Sequence, residues 1–283
     1  MSSDSRQEHR RLIVELGHGA SDARTLRAVA DVAALLHWDL HGLFIEDESL
    51  FGLAELPFAR ELRLPGHEWQ KIEPDRIAGE LRRAATDAQR LLREVGAAMG
   101  VAHAFEVQRG DPAEALAAIA LESDVLVVAA PTTAAARLAH GVRRMHATAQ
   151  ESAASLLLLP PGFIPRVGPV VALATRAGDP AMAVAARAAT NTREHLWLLL
   201  PDADPALAEA AAERAVALGV PRTRVVMRTL SRADREDVLQ ALGHVRERLL
   251  VLTRDASPAA DLAAASRIAA DRAVGVMLLE QGG

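Results

Sequence analysis

Residues 102–131 read AHAFEVQRGDPAEALAAIALESDVLVVAAP, and this stretch decides the class of fold. It opens on a strand candidate, Ala102 to Gly110, breaks at Asp111-Pro112, runs through an Ala- and Leu-rich helical segment and closes on a second strand candidate, Asp124 to Pro131. Asp followed by Pro is a helix start, because the carboxylate accepts from free backbone N–H groups and the proline ring fits the first helical position. Glu114, three residues after Asp111, completes an arrangement like a capping box. A strand, a helix and a strand in succession require a parallel pair joined by a helical crossover.

The same reading extends in both directions. Before this stretch lie strand candidates Leu12 to Gly17 and Asp39 to Asp47, and after it Ala154 to Pro160. Near Gly168 the order starts again, with Pro169 to Thr175, His195 to Pro201, Thr223 to Leu230, Arg248 to Thr253 and Gly275 to Glu280. Asp179-Pro180, Asp204-Pro205 and Ser257-Pro258 repeat the helix-start idiom. The strands are nearly continuous apolar runs, as expected where both sheet faces are covered. The expectation is an α/β protein of two tandem open parallel five-stranded sheets with helices on both faces, divided into domains 1–163 and 164–283.

Composition agrees with two ordinary cores, since 283 residues are 50% hydrophobic. No apolar stretch reaches the roughly 18 residues that span a bilayer, and Met1 to Arg11 is polar, so a cytoplasmic protein is expected. There is no cysteine, which excludes disulfides, thiolate metal sites and cysteine nucleophiles. The net charge of −5 and eight aromatic residues offer neither a basic stripe nor a stacking surface for nucleic acid. Lys71 is the single lysine, so the phosphate-gripping lysine of a P-loop has no candidate.

Residues 109–116, a glycine opening an amphipathic helix, followed by Asp124 opening a strand, resemble the pattern of the universal stress proteins, and each half is similar to one such domain. The resemblance covers nearly the whole chain. It implies the adenine nucleotide alpha hydrolase-like fold, with strands ordered 3-2-1-4-5, and two halves packed through their fifth strands. Nucleotide-binding members carry an aspartate ending the first strand and, after the fourth, a loop of glycine, two residues, glycine, nine residues, glycine and a hydroxyl. Here the aspartate position holds Gly17 in one half and Thr175 in the other. The loop positions of the first half hold Ala129, Thr132, Val142 and Arg143, and the second-half segment from Thr253 to Arg267 has no glycine. A phosphate cradle needs backbone free of Cβ with positive φ accessible, so side chains at these positions forbid its usual form. The expected protein is non-catalytic, holds no cofactor and acts in stress through ligands or partners. The alternative is an ATP or adenine-nucleotide binder, even a slow ATPase, with an altered loop.

In open parallel sheets ligands settle beyond the carboxyl ends of the strands where the order switches, between the first and fourth. In the first half this points to Gly17, His18, Gly19, Thr132, Thr133 and Arg143, for which turn and capping roles compete with ligand contact. In the second half Thr175-Arg176 and Thr253-Arg254 flank the same crevice. The two arginines either converge on an anion or pair with Asp179 and Asp255 at the surface. Glu46-Asp47-Glu48 reads as a solvated strand end in preference to a cation site. His37 and His41 straddle a helix end and a strand, so their rings are not expected to share a metal.

One segment, 49–71, has no counterpart in the second half. It contains Leu50, Phe51, Leu53, Leu56, Phe58 and Trp69 and precedes an amphipathic helix from Pro74 to Met99. It is open to three readings: a flap over the first crevice, an apolar patch for a partner or a second copy, or a packed loop.

Overall fold

The computed structural model describes residues 10–17, 23–63, 68–119, 124–130, 148, 154–201 and 204–281. Five strands of the first half, β1 (Arg11–Glu15), β2 (Asp39–Asp47), β5 (His103–Gly110), β6 (Val125–Ala129) and β7 (Ser155–Leu159), pair in the order β5-β2-β1-β6-β7. Those of the second half, β8 (Val170–Leu173), β9 (Leu196–Pro201), β10 (Val225–Leu230), β11 (Leu249–Thr253) and β12 (Gly275–Leu279), pair as β10-β9-β8-β11-β12. Each order is 3-2-1-4-5, and all pairs within a half are parallel.

The two units are one ten-stranded sheet, because β7 and β12 pair antiparallel with Leu157 opposite Met277. Both fifth-strand edges are thereby covered by each other. The seam is dry: Leu156, Leu157, Val276, Met277 and Leu278 are fully buried, each such apolar side chain being worth about 1.5–3 kcal/mol of burial. Successive residues alternate between two layers. Leu12, Val14, Val170 and Ala172 face one, while Ile13, Val171 and Leu173 face the other.

Helices α1 (Ala23–Leu36), α3 (Pro74–Met99), α5 (Pro180–Thr192) and α6 (Pro205–Ala217) cover the first face, and α4 (Pro112–Ile119), α7 (Arg235–Leu242) and α8 (Leu262–Arg272) the second. Helices α1 and α5 pack across the seam, where Arg248 reaches Asp31 at 3.2 Å and Asn191 donates to the Leu35 carbonyl at 2.9 Å. Among the described residues no helix is long and apolar enough to cross a membrane.

Asp111, Asp179 and Asp204 cap α4, α5 and α6 as expected. Ser257-Pro258 does not: it opens a three-residue 3₁₀ turn without a side-chain cap, and Asp261 caps α8 by accepting from Ala263 and Ala264. Asp261 prevails because one of its carboxylate oxygens serves two of the free N–H groups that open the longer helix. The restart at Gly168 has a steric basis, since its φ is +155° and a Cβ there would stand 1.9 Å from the Arg246 carbonyl oxygen. Below it, the buried Glu247 accepts two bonds from Arg272, and Arg166 donates to the Glu247 carbonyl, tying the link between the halves to the base of β11.

Segment 49–71 is more than a packed loop. It forms most of α2 (Glu48–Glu55) and an antiparallel hairpin of β3 (Arg60–Arg63) and β4 (Glu68–Lys71). Arg76 of α3 ties the hairpin down through Glu61. Ala54, Ala59 and Ile72 make a small separate core, while Leu53, Phe58 and Trp69 stay exposed.

Candidate functional site

Register places the two crevices at matched positions. Leu12 pairs with Val125 in the first half as Val170 pairs with Leu249 in the second. Counting forward along each strand, Gly17 therefore corresponds to Thr175, and Ala129 to Thr253.

In the second half these two threonines close on Asp179, the N-cap of α5, whose carboxylate is 2% exposed. The Thr175 backbone N–H donates to Asp179 Oδ2 at 3.0 Å and its hydroxyl to the same oxygen at 3.2 Å. The Thr253 hydroxyl donates to Oδ1, as does the Ala181 backbone N–H at 3.0 Å. A carboxylate of the chain itself thus sits at the switch point, between the first and fourth strands of this half, where the fold offers an anion its donors.

The arginines do not converge there. Arg254 turns toward the seam, donating to the Ala154 carbonyl at 3.1 Å and pairing with Glu280. Burial pushes the Glu280 carboxyl up, and Arg254 partly opposes that shift. The expected pairs of Arg176 with Asp179 and Arg254 with Asp255 are replaced by these contacts, since a nearly desolvated Asp179 is better served by threonine donors and a helix N-terminus than by a surface arginine. Arg176 is exposed and has no ion pair among the described residues.

In the first half Gly17 follows β1, and its N–H donates to the buried Glu15 carboxylate at 2.5 Å. A Cβ at Gly17 would lie 2.7 Å from that oxygen, so any larger residue there must push the Glu15 carboxylate aside. Ala129 ends β6 without a hydroxyl. His18, Gly19, Thr132, Thr133, Val142 and Arg143 lie outside the described residues.

Beside Gly17 opens a cavity of about 560 Å³. Leu16, Phe44 and Ile45 form its floor, Leu50 of α2 one wall and Leu81, Ala84, Ala88 and Leu91 of α3 the other, with Asp47, Asp87, Arg90 and Glu94 among its polar groups. Helix α2 is held over the sheet because Asp47 caps it through Ser49 N–H at 2.9 Å, and Arg109 stacks on Phe51 at 4.4 Å. The same Arg109 pairs with Glu46 at 2.8 Å, so Glu46 is buried and not part of a solvated strand end, and the three acids turn to different tasks. Among the described residues no group of three His, Cys, Asp or Glu is placed to hold a metal.

His37 takes a left-handed conformation after α1, whereas His41 is buried in β2 with Nε2 3.5 Å from Glu106. Burial first, and the nearby Arg11 second, push the His41 imidazole below its usual range. Arg11 itself is occupied by a two-pronged bond to the buried Asp124.

The sequence presents Asp179 as a helix cap and as a surface partner for Arg176, and it does not show the cavity. Thr175, Asp179 and Thr253 were each visible, but their meeting depends on strand order. The cavity follows from α2, whose helix was not foreseen.

Comparison of structures finds the same fold in a universal stress protein from Archaeoglobus fulgidus, with a TM-score of 0.64 at 12% identity over 97% of both chains. A Pseudomonas aeruginosa protein provisionally termed a universal stress protein gives 0.52 at 14% identity, over 97% of this chain and 94% of that one. A functionally unknown protein from the same species gives 0.52 at 13% identity, over 97% and 93%. No protein-family model matches the chain, and no curated protein matches it in sequence. The fold is that of the universal stress proteins.

Proposed function

We propose that this chain is a non-catalytic stress-response protein of the universal stress type, working through ligand and partner contacts without the usual nucleotide phosphate loop. The observation that carries the reading is Asp179. Its carboxylate takes two threonine hydroxyls and two backbone N–H groups at the second-half switch point, leaving a phosphate opposed by a buried negative charge. Asp179 and Thr253 are also nearly fully buried, which keeps a substrate from reaching them. In the first half, glycine at position 17 is taken up by Glu15, and the loop positions Ala129, Thr132 and Val142 carry side chains. Ligand contact then falls to the apolar cavity, and partner contact or self-association to segment 49–71. Both halves act as one body in the cytoplasm, an intrachain pseudo-dimer.

Native mass spectrometry of the purified protein and melting with ATP, ADP and AMP test this. The expected result is no adenylate carried through purification and no shift in melting temperature. A nucleotide at a hundred times its Kd would add about 2.7 kcal/mol, and a shift of that order overturns the proposal.

A further inference from the structure

We infer that the first-half cavity is a site for an amphipathic cation, a small molecule with an apolar body and a protonated amine head. The inference rests on the reading that this crevice holds no nucleotide, and it names the ligand class. The volume of about 560 Å³ falls in the range of small-molecule sites, and most of the lining is Leu, Ile, Phe and Ala. The body of such a ligand replaces water between Phe44, Leu50, Leu81 and Leu91.

The charges of the lining set the sign of the head. Among the described residues Arg90 is the one cation of the lining, and it is engaged by Asp87 at 3.0 Å. Asp47 gives one oxygen to the α2 cap, and Glu94, one turn beyond Arg90, has no ion pair among the described residues. The balance is therefore two carboxylates without a cation, which repel phosphate or carboxylate heads and attract an ammonium. Of these groups Leu50 comes from segment 49–71, which this half alone carries, and Asp47 from the end of β2.

The test uses the full chain at pH 7 and three probes with one tail, decylammonium and decanoate below their micelle concentrations and decanol below its solubility limit, measured by titration calorimetry. One decylammonium should bind per chain, at least tenfold tighter than decanoate. Glu94→Gln should lower that ratio several-fold and leave decanol unchanged, while Ala84→Trp, at the exposed mouth, should remove all three. Leu81→Arg provides a second block should Ala84→Trp fail to fold by circular dichroism. Decanoate binding as tightly as decylammonium, binding that survives both blocks, or no binding of any probe overturns the inference. ATP is titrated alongside: ATP binding that Ala84→Trp removes overturns the proposed function as well, whereas the lack of both ATP and probe binding overturns the cavity assignment alone.

Discussion

At corresponding points of one continuous sheet, the two crevices hold opposite chemistry. Thr175 and Thr253 in the second half converge on the desolvated carboxylate of Asp179, whereas Gly17 and Ala129 in the first half present no hydroxyl, and Gly17 borders an apolar cavity walled on one side by Leu50 of α2. A duplicated fold can thus divide its labour: one half turns its switch point into a fastening inside the molecule, and the other keeps an apolar cavity beside the end of its first strand. The difference follows from two side chains per half and one inserted segment, without a change in strand order.

Removing the fastening should give the largest effect. Asp179→Ala strips the α5 cap and leaves buried donors unpaired, which should lower stability by about 2–4 kcal/mol in urea unfolding. A loss no larger than that of a surface substitution would mean that Asp179 does not organise the second crevice. Next, Arg254→Ala should cost about 1–2 kcal/mol, because it removes the bond to the Ala154 carbonyl across the seam and the ion pair with Glu280 in its own half. Calorimetry should show one cooperative transition in the parent chain and a broadened one in the variant. In the first half, Gly17→Ala should cost about 1 kcal/mol, as its Cβ presses on the Glu15 carboxylate, while Thr175→Ala in the second half acts only through lost bonds.

The smallest effect is confined to the first half. His41 stands where Trp197 stands in the second, opposite Ile13 and Val171 respectively. Its folded pKa lies below its unfolded value, so its contribution to stability is complete above the usual histidine pKa of about 6.5 and is lost as pH falls through the depressed folded value. Unfolding free energies at pH 7.5 and 5.0 should differ by less in His41→Phe than in the parent, by under about 1 kcal/mol.

The strands and the pseudo-duplication were legible because β-branched and leucine runs alternate with capped helices, whereas the 3-2-1-4-5 order came only with the resemblance to the universal stress proteins; both ends of β2 and the C-terminal end of β10 fall where the sequence places them. Three of the four helix starts built on proline were equally plain. The site was less legible. Asp179 reads locally as an N-cap, and only the parallel pairing of β8 with β11 brings Thr253 to it from 74 residues away. Glu46 looks solvated beside Asp47 and Glu48 until β5 delivers Arg109. Arg254 is drawn from the crevice by a carbonyl in the other half, a contact that exists only because the two halves share a sheet.

The central claim, that a carboxylate of the chain occupies the second-half anion position, is tested most directly by titrating inorganic phosphate into the parent protein and Asp179→Ala while following melting temperature. The parent should show no specific protection, and the variant, with the Thr175, Ala181 and Thr253 donors released, should rise with phosphate toward a plateau. Equal responses in the two proteins would contradict it.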